Sequence, residues 1–205
     1  MGYLISGVVF GTAAGISPGP LLTLVIAETI KHSKREGIKV ASAPIITDLP
    51  IVMASIYVIA KLSHSDLLLG IISIFGAAFI GYLACESITV KGVELDLGKV
   101  KPRSLRKGVI TNFLNPHPYL FWIAVGAPVT LKAFEDSFLS AFSFILGFYL
   151  CLIGSKVLIA LVVDRSKDFL KSSAYVYILR VLGVILLIFS GLFIRDGLKF
   201  FGLIR

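Results

Sequence analysis

Charge is scarce in this chain. Only 16% of its 205 residues are Asp, Glu, Lys or Arg, while 57% are hydrophobic and the mean hydropathy is +0.93. Soluble domains carry about 25% charge, so lipid is the solvent that this composition fits. Cysteine is nearly missing as well. Cys85 and Cys151 both sit in apolar stretches, where a thiol reads as a small packing group. A disulfide between them would depend on helix geometry that spacing does not fix. No local metal-ligand spacing links them to His117, so no metal site is expected. There is no phosphate loop, no dinucleotide fingerprint and no spaced nucleophile, base and orienting group. The chain is therefore expected to be no enzyme, to need no cofactor, and to draw any pumping energy from an ion gradient, exchange or another subunit.

Basic residues outnumber acidic ones, 20 to 12, for a net charge of +8. They cluster between apolar stretches and form no basic face, so nucleic acid is not expected as a partner. The first apolar stretch lacks a basic start, since Met1-Gly2-Tyr3 opens it, and it runs on to Ile30. That makes it a retained membrane segment and not a secretory signal.

A hydrocarbon core of about 30 Å takes about 20 helical residues. Six stretches qualify, at about residues 3–30, 40–62, 67–89, 108–131, 138–163 and 175–198. The Ser63-His64-Ser65-Asp66 turn predicts an antiparallel hairpin of the second and third spans. The polar connection 91–107 divides two halves, about 1–90 and 108–205, of one transmembrane domain covering 1–205. Thirteen Lys and Arg follow the first, third and fifth spans, and five lie on the other side. The positive-inside rule then puts the chain in the cell membrane as a multi-pass protein with both termini non-cytoplasmic. Three spans per half make the halves inverted repeats. The expected fold is thus an all-α membrane protein of six transmembrane helices in two inverted three-helix repeats, with broken first and fourth helices.

The breaks are read from proline. Ser17-Pro18-Gly19-Pro20 and Asn115-Pro116-His117-Pro118 lie 98 residues apart, each inside an apolar stretch. A proline inside a helix removes a donor and clashes with the preceding turn, costing about 3 kcal/mol. At membrane depth such a break persists where protein or a wet cavity satisfies the freed backbone. One kink alone is ordinary structure; two at matching positions point to a transporter's substrate site. Asn112 and Asn115, three residues apart, are expected to share a helix face, and Asn115 is expected to bind substrate or to cap the half-helix after the break. His117 is either a proton relay or is satisfied by a carbonyl at the break.

Asp48 is the sharpest single residue. It lies about 12 Å into the second span, where an aspartate faces an interior or a cavity. There it takes up a proton, attracts an ammonium group, or bonds the broken first helix. Thr47 beside it and Pro50 after it predict irregular backbone. Lys156 is expected to snorkel to the interface, Arg180 to anchor at the interface, and Glu28 and Glu86 to be partly solvated at span ends. Gly76 and Gly81, and Gly183 and Gly191, are expected to give close-packing faces to the third and sixth helices. Such faces are compatible with a homodimer.

At these residues the chain resembles the LysE family of small-molecule exporters, the lysine exporter or RhtB-type amino-acid translocators. The matching segments are Gly15-Ile16-Ser17-Pro18-Gly19-Pro20, Gly37 through Asp48, Phe75 through Leu83, and Gly108 through Trp122 with its Asn115-Pro116. Two features depart from the family pattern. His117 and Pro118 stand where lysine often follows Asn-Pro, and Ala43-Pro44 and Thr47 loosen the second helix's glycine spacing. The resemblance implies export of amino acids or related metabolites in exchange for protons or another cation. Metal-cation export on the same architecture is the alternative that it leaves open. A membrane thiol-redox carrier is the rival from another class, but its chemistry needs a thiolate at the breaks, where this chain has Gly19 and His117.

Overall fold

The computed structural model describes residues 2–17, 19–62, 66–89, 103–165 and 173–204. These residues are helical almost throughout, in the order α1 (Gly2–Ile16), α2 (Pro20–Lys31), α3 (Lys34–Ala41), α4 (Ala43–Leu62), α5 (Asp66–Thr89), α6 (Ser104–Leu114), α7 (Pro116–Phe121), a π-helical turn (Trp122–Gly126), α8 (Ala127–Asp136), α9 (Phe138–Arg165) and α10 (Ser173–Phe200). Each of the six apolar stretches falls on helix. Among the described residues, Lys34–Lys61 and Phe138–Arg165 are each long and apolar enough to cross a membrane. The pair Gly2–Ile16 and Pro20–Lys31, bent by 59°, makes a third when taken as one span.

The helices are apolar on the outside and polar within. On α4, Ile45, Leu49, Met53 and Tyr57 recur every fourth residue on an exposed stripe, with Leu49 63% exposed. Thr47, Asp48 and Ser55 of the same helix are buried, Asp48 at 3%. In water the arrangement would be reversed; against lipid it places each polar group where protein can pair it.

Proline sets both breaks. Pro20 opens α2 at its first position, behind an extended Gly19 (φ −175°, ψ 174°), where a missing N–H costs nothing. Pro116 opens α7 in the same way behind Asn115 (φ −80°, ψ 123°). Pro18, the turn at 63–65 and residues 90–102 of the connection lie outside the described residues.

Several expectations need correction. The helix of the second span starts before residue 40, running over Lys34–Lys61 with a single turn residue, Ser42, between α3 and α4. Helix α4 runs unbroken through Thr47 and Pro50; Thr47 bonds back to Ala43 O (3.2 Å) within the helical turn. The end of the 91–107 connection is helical, since α6 begins at Ser104, which is buried against Glu28.

Two long pairings dominate the packing, α1 with α9 and α5 with α10. Glycine makes the first possible. Gly7, Gly11 and Gly15, four residues apart, form a stripe on α1 that meets the backbone of α9. A Cβ at Gly7 or Gly11 would strike the Phe144 or Phe148 carbonyl, and one at Gly15 would lie 2.9 Å from Leu152 O. In the second pairing Gly76 and Gly183 serve as expected, with a Cβ at Gly183 meeting Ala84 O at 2.9 Å. Gly191 does not, because its α-carbon faces open space. Ser190 hydrogen-bonds Ala77 O (2.8 Å) across the same seam.

The stripe generates a paired prediction. Gly11→Ala drives a methyl into backbone that cannot yield, and overpacking of this kind costs about 1–3 kcal/mol. Gly154→Ala, with no neighbour within 4 Å, should be neutral or stabilising by up to ~1 kcal/mol through helix propensity. Thermal unfolding of the two purified variants should show a lowered midpoint for the first alone.

Candidate functional site

The two breaks face one cavity of about 110 Å³, which has room for several waters. Ser17, Gly19 and Pro20 line it from the first break, and Asn112, Asn115 and His117 from the second. Asp48 of α4 and Lys156 of α9 bring the opposite charges, and Trp122, Phe121 and Phe148 form an aromatic wall.

Asp48 is fully provided with donors. Asn112 Nδ2 donates to its Oδ1 at 2.8 Å, Tyr149 OH to its Oδ2 at 3.3 Å, and the Thr47 hydroxyl stands 3.1 Å from Oδ1. Asn112 Nδ2 also reaches Thr47 Oγ1, at 2.6 Å. The aspartate therefore ties α4 to the end of α6 in the second half of the chain and to α9. Among the described residues it makes no hydrogen bond to the broken first helix, which was one of the roles open to it.

The first break is held by Lys156. Its Nζ donates to Ala14 O and Gly15 O, both at 3.1 Å, and the residue is 4% exposed. The expected snorkelling is overturned. Gly15 lets α9 come so near that the side chain meets the end of α1 before it could reach an interface.

The asparagines divide their labour. Asn112 belongs to the last turns of α6, whereas Asn115 stands outside that helix in extended backbone, so the two do not share a helix face. Asn115 caps α7, its side chain accepting from His117 N (3.1 Å). The His117 ring meets the edges of Phe79 and Tyr82, each at 6.1 Å.

Sequence reasoning missed Tyr149, Leu152 and Trp122, and it misplaced Lys156. Tyr149, Leu152 and Lys156 recur at helical spacing on α9, a signal that was available. Trp122 is fully buried with its ring stacked on Tyr149 (6.1 Å, 17°), and among the described residues its indole N–H is engaged at most loosely, by the Tyr149 hydroxyl. A buried donor so loosely engaged in a cavity wall invites an explanation. Glu28, expected to be solvated, is 2% exposed instead. It accepts from Ser104 Oγ (2.5 Å) and Lys107 Nζ (2.7 Å), with His32 Nε2 at 3.9 Å. This cluster ties α2 to α6, beyond the cavity. Cys85 and Cys151 are free thiols, and neither lines the cavity. Among the described residues no three His, Cys, Asp or Glu side chains group closely enough to hold a metal ion.

A second cavity of about 690 Å³ lies at the opposite end of α1, lined by Tyr3, Ser6 and Phe10 with Lys132, Asp136 and Asp196. Rings separate it from the first. Phe121 lines the first cavity, Phe10 and Phe189 line the second, and Phe10 packs on Phe121 (5.9 Å) and Phe189 (4.7 Å).

Helices apolar outside, broken at two prolines and charged at the cavity between the breaks define a helical membrane translocator. The model of the LysE type translocator family matches residues 13–197, and the chain belongs to that family. No curated protein and no solved structure matches it. Membership indicates membrane export of small molecules.

The Glu28 cluster gives an asymmetric prediction. Lys107→Met leaves a buried carboxylate without its cation and should destabilise the protein by about 1–3 kcal/mol. Glu28→Gln, whose amide can still pair with Ser104, should cost less. Denaturant or thermal unfolding of both variants measures the order.

Proposed function

We propose that this chain is a secondary-active exporter of amino acids or related small metabolites across the cell membrane. It would be driven by a proton or counter-ion gradient, or by exchange. The observation that carries the reading is the opposed pair Asp48 and Lys156, each buried at one cavity between two helix breaks. Opposite charges at one small site suit a zwitterion, and the loosely engaged Trp122 N–H is a further donor for a solute oxygen.

The working architecture is a single transport domain of six spans in two inverted halves. It is supported by a reciprocal arrangement. Asp48, on the second span of the first half, pairs with Asn112 beside the second half's break. Lys156, on the second span of the second half, pairs with carbonyls at the first half's break. A pseudo-two-fold axis in the membrane plane produces that kind of exchange. Alternating access would release the Glu28–Lys107 contact on one side and part the Phe10, Phe121 and Phe189 rings on the other. The charge bias of the connections puts both termini on the non-cytoplasmic face. Ser17, Gly19, Pro20, Thr47, Asn115, Pro116 and His117 shape or line the site, Pro18 belongs to the same motif in the sequence, and Asp48 carries the coupling or substrate charge.

Counterflow into proteoliposomes preloaded with single amino acids or divalent cations tests this. Wild type should take up at least one amino acid. Asp48→Asn, which keeps the Asn112 bond through its amide oxygen, turns the Tyr149 hydroxyl into an acceptor and removes the charge, should lose 10-fold or more of that uptake while its unfolding midpoint stays near wild type. Uptake of a divalent cation in place of amino acids would establish the metal-cation alternative. Equal uptake by Asp48→Asn would make the carboxylate structural, and silence across the panel would overturn the proposed substrate class.

A further inference from the structure

The first break takes the helical donors from the last carbonyls of α1, Ala14 O and Gly15 O among them. In an unbroken helix Ala14 O would take the N–H of residue 18 and Gly15 O that of residue 19. Residue 18 is a proline and has none, and Gly19 is extended. The last regular turn closes with Ser17 N to Ala13 O (2.9 Å). Lys156 Nζ donates to both Ala14 O and Gly15 O. They form the negative end of the α1 dipole. In carriers built on broken helices, unwound carbonyls and half-helix C-termini are where coupling cations are held.

We infer that this chain fills the cation seat at its first break with the Lys156 amino group, in the place a free metal cation would take. The seat is built by neighbouring residues. Gly15 admits α9 to backbone contact, since a Cβ there would lie 2.7 Å from Ser155 Cβ. The adjoining Lys156 stem is held in the tight seam between α1 and α9, and its head has two convergent oxygens. Asp48, at the same cavity, opposes the charge. The consequence for transport rests on the exporter reading: with this seat filled, the charge that moves with each cycle is left to the Asp48 side of the cavity. The seat itself does not depend on that reading. Lys156 acts here as a positioning residue, standing in for an ion and fixing the end of α1.

The test uses stability, so it is independent of whether a transported solute has been found. Lys156→Ala removes three methylenes and the ammonium, which n-propylammonium would replace. Purified wild type, Lys156→Ala and Lys156→Met are heated in about 100 mM choline, sodium or n-propylammonium chloride. Lys156→Ala should gain about 3 °C or more in n-propylammonium over choline, with a smaller gain in sodium. Wild type, its seat filled, and Lys156→Met, its seat blocked by an apolar chain, should gain nothing. If Lys156→Ala is recovered folded only when n-propylammonium is present throughout extraction, that too supports the seat. One midpoint for Lys156→Ala in all three salts overturns it. So does failure to recover that variant in any salt, and so does Lys156→Met matching wild type in choline.

Discussion

The close approach of α1 to α9 is the contact on which the site depends. Three glycines four residues apart bring one backbone against another, and at the end of that stripe Lys156 meets the carbonyls that a proline break has left open. A bulkier residue at Gly15 would push the helices apart and leave those carbonyls facing a cavity without a donor. In hydrocarbon each such group costs several kcal/mol. Tight packing and a polar break, which look opposed, are here one device.

The same economy governs the second break. Asn115 is spent on its own backbone as a cap, which leaves Asn112 for Asp48. Each charged group on the cavity answers to the half of the chain that does not contain it, so the halves are joined through the site and not only around it. Farther along, Glu28 repeats the theme by binding Ser104 and Lys107 of α6. α2 and α6 therefore meet at a fastening that an aqueous opening could undo.

Much of this was legible in the sequence for physical reasons. Helix positions followed from hydrophobic runs, and both breaks followed from proline, since neither depends on what lies across the fold. Asp48 was identifiable because its insertion cost demands a partner. Lys156 was misjudged on the same cost: a long side chain near a span end has a cheap escape to water, and only the glycine stripe, read as a contact with α9, closes that route. Glu28 was misjudged because proximity to a span end says nothing about a second helix covering it. Asn112 and Asn115 were placed on one face because a three-residue spacing implies continuous helix, and the helix stops between them.

The rings of Phe10, Phe121 and Phe189 have an electrical meaning. They stand between two cavities that together occupy much of the length of α1. Where both cavities fill with water in a bilayer, each takes the potential of its own side, and the membrane voltage falls mainly across a barrier about one aromatic ring thick. Moving one elementary charge through a full drop of 100 mV is worth about 2.3 kcal/mol. On the exporter reading, a proton or solute passing those rings would then feel most of that energy in a single short step.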